Sequence, residues 1–141
     1  MTDPLPRAQR AFLDTLQASL SALEARADLA EFVRPVQAAH ARIGETRRSL
    51  DLQRTERPDA IAGGAYDLLT AIGILYDGWN WLEMVAALQG EAPCEHATPA
   101  MRQTKPVLAR VWMQRQMPLI DSLCDRIASG NDSLMSLPDE L

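Results

Sequence analysis

Apolar residues recur along most of this chain at three- and four-residue spacing, the pattern of helices that each bury one face. Phe12, Leu16, Leu20, Leu23 and Ala27 form one such stripe. They predict a first helix over about 5–27, with Arg7, Arg10, Asp14 and Glu24 left to water and Pro4 and Pro6 tolerated in its first turn. A second helix is predicted over about 28–54. Its apolar face is thin (Val36, Ala39, Ile43, Leu50), and its polar face is crowded with Arg34, Arg42, Arg47, Arg48 and Arg54. Asp28 with Glu31 resembles a capping box. Pro35 lacks an amide donor, so it either kinks this helix or marks its true start. A polar connection containing Pro58 follows.

The third predicted helix, about 59–89, is apolar nearly all round. Leu68, Ile72, Leu75, Trp79, Leu82 and Ala86 make one stripe, and Ile74, Trp81, Val85 and Leu88 make another. A helix apolar on most faces belongs at the centre of a fold. It also holds Gly63, Gly64, Gly73 and Gly78, each poor in a helix interior, so close approach of neighbouring helices is expected there. Gly90 is its expected C-terminal cap. After a loop over 91–97, Thr98 and Pro99 supply an N-cap and a first helical residue. The fourth helix runs to about Ser129, with Gly130 past its end. Val107, Val111, Leu119, Leu123 and Ile127 point one way, and Pro106 and Pro118 each bend or distort it. Residues 131–141 read as a tail docking through Leu134, Met135 and Leu137.

No stretch alternates with period two, and no Asn-Gly or Asp-Gly turn appears. Four helices with short connections predict an all-α, antiparallel, up-down four-helix bundle over a single domain, 1–141, with kinked second and fourth helices. At 141 residues the chain can bury a core without staples. Leu68–Leu88 is long enough to raise the question of a membrane span, but Asp77, Asn80 and Glu83 interrupt it. The start, Met1-Thr2-Asp3-Pro4, lacks the features of a secretory signal, so a cytoplasmic protein without a membrane span is expected. The net charge of −5 gives no reason to expect nucleic acid as a partner.

Candidate chemistry is sparse. Cys94 and Cys124 form no CxxC pair, and Cys94-x-His96 lacks further ligands at useful spacing, so no metal or other cofactor is implied. There is no GxSxG and no phosphate loop. The charges inside the third helix, Asp67, Asp77 and Glu83, are all acidic. Asp77 and Glu83 are candidate buried acids, read either as a catalytic acid or base in a pocket or as partners of arginines on flanking helices that fix helix register. Tyr76, Trp79, Trp81 and Trp112 are candidate interface or pocket residues. Residues 79 and 81 lie about 200° apart on a helix, so one indole suits the core and the other a contact surface.

The run Tyr66–Trp81, with Tyr66, Gly73, Gly78-Trp79 and a second aromatic as landmarks, resembles the central helix of the C-terminal domain that follows the flavin-binding core of some bacterial acyl-CoA dehydrogenases. Met117-Pro118-Leu119, Ile127, Gly130 and the run Ser133–Pro138 resemble the end of long members acting on methylmercaptopropionyl-CoA and similar thioesters. The resemblance covers about 28–141 and leaves the first helix outside. Asp77, Glu83 and Pro35 depart from it. Those enzymes use FAD and a catalytic glutamate housed in a core that this sequence does not contain, so no catalytic or FAD-binding residue carries over. The resemblance implies a non-catalytic accessory or oligomerisation module, partnered by a second copy or by a separate dehydrogenase subunit. The alternative is a small helical binder of acyl-CoA or another apolar ligand, with Lys105 or Arg110 holding phosphates.

Overall fold

A computed structural model describes residues 7–91 and 94–137, apart from the side chains of Gln9, Asp59, Ala60, Leu134 and Met135. Within these residues the chain is all-helical: α1 Arg7–Leu23, a 3-10 turn Ala27–Leu29, α2 Ala30–Gln53, α3 Pro58–Leu88, α4 Pro99–Gln116, α5 Pro118–Ser129 and the single turn α6 Asp132–Met135. The central helix is α3, which packs against α2, α4 and α5. Ala71, Leu75, Leu82 and Val85 of α3 are fully buried. They meet Phe32, Val36 and Ile43 of α2, Ala109 and Met113 of α4, Ile120 and Cys124 of α5, and Leu16 and Leu20 of α1 in one continuous core. Both apolar stripes of α3 therefore find cover, as expected of a helix without a fully polar face.

Side-chain contacts give the helix directions. Phe12 meets Tyr76 and Ser19 meets Glu83, so numbers rise together along α1 and α3. Gly64 faces Ile127, Gly78 faces Met117, and Arg102 reaches Leu88, so numbers fall along α4 and α5 as they rise along α3.

Several local expectations are corrected. The first helix stops at Leu23, because Arg26 adopts an extended backbone and turns its guanidinium onto the end of α3. The Asp28–Glu31 capping box does not form: Asp28 binds Arg26, Glu31 binds Arg110, and a 3-10 turn without a side-chain cap leads into α2. The α2 helix begins at Ala30, neither at Asp28 nor at Pro35, and runs through Pro35 with one amide donor missing. Thr98 caps α4 as expected, its hydroxyl accepting from the Met101 amide at 3.2 Å. The expected fourth helix is two, divided before Pro118; Pro106 is buried inside α4 and does not divide it. Of the expected stripe there, Leu123 and Ile127 are buried as predicted, but its earlier members are misregistered. Val107, Val111 and Leu119 are about half exposed, while Pro106, Ala109, Met113, Met117 and Ile120 face the core. Of the tail, Leu137 is exposed; Leu134 and Met135 side chains lie outside the described residues.

Gly90 is not a left-handed cap, since Gly130 is the positive-φ residue among those described, at φ 68° after α5. The last carbonyls of α3 are satisfied instead by two arginines. Arg26 donates to Ala86 O at 3.1 Å and to Gln89 O at 3.2 Å, and Arg102 donates to Leu88 O at 2.7 Å. Cations at a helix C-terminus also complement its partial negative charge.

Three of the four α3 glycines are explained by close approach. A Cβ on Gly63 would collide with the Asn131 amide, one on Gly64 would lie 3.2 Å from Ile127, and one on Gly78 would lie 2.7 Å from the Met117 sulfur and 3.4 Å from the Trp112 ring. A Cβ on Gly73 would meet nothing within 4 Å. Gly78→Leu is accordingly expected to lower the unfolding free energy by about 1–3 kcal/mol through overpacking. Urea denaturation followed by far-UV circular dichroism measures this; an unchanged midpoint would show that Met117 and Trp112 yield freely.

Candidate functional site

The aromatic residues singled out by their spacing separate into two places. On the α1 side of α3, Trp79 lies with its ring centroid 6.0 Å from both Phe12 and Tyr76. Its indole N–H donates to Ser19 Oγ at 2.9 Å and to Glu83 Oε1 at 3.1 Å, and the Ser19 hydroxyl donates to the same carboxylate oxygen. This network is what ties α1 to α3. On the opposite side, Trp81 and Trp112 line one open hollow of about 480 Å³ with Leu108, Val111, Arg115 and Gln116. Lys105 sits over the Trp81 ring, its Nζ 5.9 Å from the centroid.

The candidate acids also divide. Asp77 is exposed, which corrects its reading as a buried acid. Glu83 is half-buried, and its partners are Ser19 and Trp79 rather than an arginine. Among the described side chains of α3, the buried acid is Asp67, at 8% exposure. Its Oδ1 lies 3.0 Å from Arg126 of α5, off the line of a hydrogen bond, in a hollow that also includes Gly63, Gly64 and Asn131. The arginines expected to neutralise α3 are used elsewhere. Arg42 pairs with Asp125 at 2.6 Å and Asp121 at 3.9 Å, and Arg110 grips Glu31 with two bonds of 2.7 Å. Arg110, a candidate phosphate holder, is therefore committed to a carboxylate.

Neither Asp77 nor Glu83 lines a second apolar hollow, about 420 Å³ between α2, α4 and α5, whose walls include Phe32, Pro35, Met113, Met117 and Ile120. Cys94 and His96 are both exposed, and no three metal-ligating side chains cluster among the described residues. No described helix is long and apolar enough to cross a membrane.

What the structure adds is an exposed apolar surface. Tyr66 is 76% exposed, Leu69 67% and Tyr76 48%, all on α3, and Leu108 and Val111 are about half exposed beside the Trp81–Trp112 hollow. Large apolar side chains clustered on a surface mark contact sites. Sequence reasoning named Tyr76, Trp81 and Trp112 but missed Tyr66 and Leu69, because a helix apolar all round does not reveal which side lacks a neighbour. The available signal was the composition of one face: of its exposed residues between 62 and 87, Asp77 alone is charged.

With this geometry in place, comparison with known proteins decides the family. The model for acetyl-CoA dehydrogenase C-terminal-like domains matches residues 11–138. The chain belongs to that family. No curated protein and no solved structure matches it. The match to the acetyl-CoA dehydrogenase C-terminal-like family begins at Ala11, inside α1, and so takes in the helix held by Trp79 and Glu83.

Two predictions follow from the polar groups. Glu83→Ala removes the acceptor shared by Ser19 and Trp79 and is expected to loosen α1 selectively, costing about 1–2 kcal/mol. Hydrogen exchange should then quicken across 7–23 more than across α3; equal acceleration in both would contradict this. The pH dependence has a defined sign. The hydrogen bonds from Arg26 to Asp28 and from Arg110 to Glu31 hold both carboxyls below their ordinary values of 3.8 and 4.5. Their contribution is present above those values and lost as pH falls through the lower folded ones. Burial lowers the pKa of His40 below its ordinary 6.5, so protonation there favours the unfolded chain. Stability should fall from pH 6.5 downward and again below pH 4.5. His40→Gln should remove the upper limb in denaturation midpoints measured from pH 8 to 3.

Proposed function

We propose that this chain is a non-catalytic accessory module that docks on the flavin-binding core of an acyl-CoA dehydrogenase, of the type acting on methylmercaptopropionyl-CoA and similar thioesters. Membership of the acetyl-CoA dehydrogenase C-terminal-like family supports the choice of partner. The observation that carries the reading is the apolar hollow lined by Trp81, Leu108, Val111 and Trp112, open to solvent on a helical face. Tryptophans in partly desolvated pockets are the anchors of interfaces, and Lys105 and Arg115 at the margin supply a polar rim. The acids of α3 serve structure in this reading: Glu83 fastens α1, and Asp67 meets Arg126. An exposed Cys94 thiol suits a reducing, cytoplasmic setting.

The test is a titration of the purified chain against a purified acyl-CoA dehydrogenase core that lacks this domain, read by calorimetry. A saturable complex is expected. Val111→Glu, which places a charge in an exposed hollow, should weaken it at least tenfold while leaving the thermal midpoint of the isolated chain within about 2 °C. Absence of binding by the wild-type chain, or full binding by Val111→Glu, would overturn the assignment.

A further inference from the structure

Gly73 is the one glycine of α3 that the fold does not explain. It is exposed, and a Cβ built on it would meet nothing within 4 Å. Glycine is the poorest helix former after proline, so a residue with a side chain at this position would favour α3 with no loss inside the chain. Gly73 also stands at the midpoint of α3, fifteen residues from each end of Pro58–Leu88. At 100° per residue, Ala62, Tyr66, Leu69, Tyr76, Asn80 and Met84 all lie within about 60° of it. All are exposed. The face is therefore a notch at its centre with large apolar side chains above and below.

We infer that two copies of this chain pair through α3, crossing at Gly73 on a two-fold axis with the two α3 helices antiparallel. The inference goes beyond the docking reading and uses a different face, on the α1 side of the Trp81–Trp112 hollow. Closed two-fold symmetry demands a self-complementary patch. An axis through residue 73 sets Tyr66 of one copy against Asn80 of the other, Tyr76 against Thr70, Met84 against Ala62 and Leu69 against Asp77, so that large residues meet small or polar ones. Charge selects the direction. Asp77 is the charged residue on this face, and in the antiparallel crossing the two copies of it stand about 12 Å apart along the axis, beyond the screening length at physiological salt. A parallel pair crossing at Gly73 would set them face to face. Antiparallel helix dipoles add to the preference.

The area sets the strength. Tyr66, Leu69, Tyr76 and Met84 expose on the order of 400 Å² of side chain per copy, about half of the ~800 Å² that a standard interface buries on each partner. The dimer is accordingly a weak one, with a dissociation constant in the micromolar range.

Sedimentation equilibrium of the wild-type chain from about 1 to 300 µM should show a monomer–dimer equilibrium. Gly73→Leu should raise the dissociation constant at least tenfold, yet leave the thermal midpoint of the dilute monomer unchanged or higher, because nothing in the monomer occupies that space. The opposite signs separate this contact from a folding defect. In a Cys94→Ser background, Gly73→Cys should form an interchain disulfide on mild oxidation, and Asp77→Cys should not. A wild-type chain that stays monomeric throughout, or a dimer indifferent to Gly73→Leu, overturns the inference. If instead Gly73→Leu abolishes binding to a dehydrogenase core while no dimer ever forms, this face belongs to the core: the inference fails and the docking reading survives. If the dimer forms but no core binds, the docking reading fails and the inference stands.

Discussion

Enclosing α3 is the constraint on which the rest of this structure depends. A 31-residue helix with almost no polar side cannot stand in water, so the other helices are arranged to cover it. The cover comes at different distances. Where α5 and the α4–α5 junction come closest, Gly63, Gly64 and Gly78 remove side chains so that Asn131, Ile127, Met117 and Trp112 can sit against the α3 backbone. Where α3 ends, Arg26 and Arg102 reach in from the α1–α2 connection and the first turn of α4 to take its final carbonyls. The same two arginines therefore satisfy the backbone of the central helix and tie the α1–α2 connection and the first turn of α4 to its end.

Much of this was legible in the residues because it follows from period alone. The extents of α2 and α3, the Thr98-Pro99 start and the stop at Gly130 need only helical spacing and cap chemistry. The failures come from contacts that helical spacing does not encode. Asp28 and Glu31 had capping-box spacing, but Arg26 and Arg110 compete for their carboxylates as charge-assisted donors, stronger than a neutral backbone amide. Gly90 looked like a cap until Arg102, twelve residues on, supplied the missing donor. The α4 stripe was misread because its buried face is built from Pro106, Ala109 and three methionine or isoleucine side chains, while the more conspicuous Val107 and Val111 face outward.

The electrostatic reading changed in the same way. Acids on an apolar helix suggested either catalysis or ion pairing with flanking arginines. Asp77 is instead exposed on α3. Glu83 meets no arginine: two neutral donors, an indole and a hydroxyl, hold it, and the result is a mechanical link between α1 and α3. Asp67 is the acid that meets an arginine, and Arg126 comes from α5, which spacing arguments had not set apart from α4. Helix identity had to be right before partner identity could be.

What remains after the core and its polar ties are accounted for is a surplus of apolar surface on two faces of α3 and α4. A fold that only needed to be stable in water would gain by making Tyr66, Leu69 and Val111 polar, and by placing alanine at residue 73, since none of these positions serves the core. Stability of the isolated chain thus gives no reason for these residues. The two faces differ in kind. The Trp81–Trp112 hollow is concave, rimmed by cations and without a symmetric counterpart, which suits a different partner. The Gly73 face is nearly uncharged and balanced about the midpoint of its helix, which suits its own copy. On the proposed docking and pairing, a module with one face of each kind would join two flavoprotein cores through itself, with no catalytic group of its own needed.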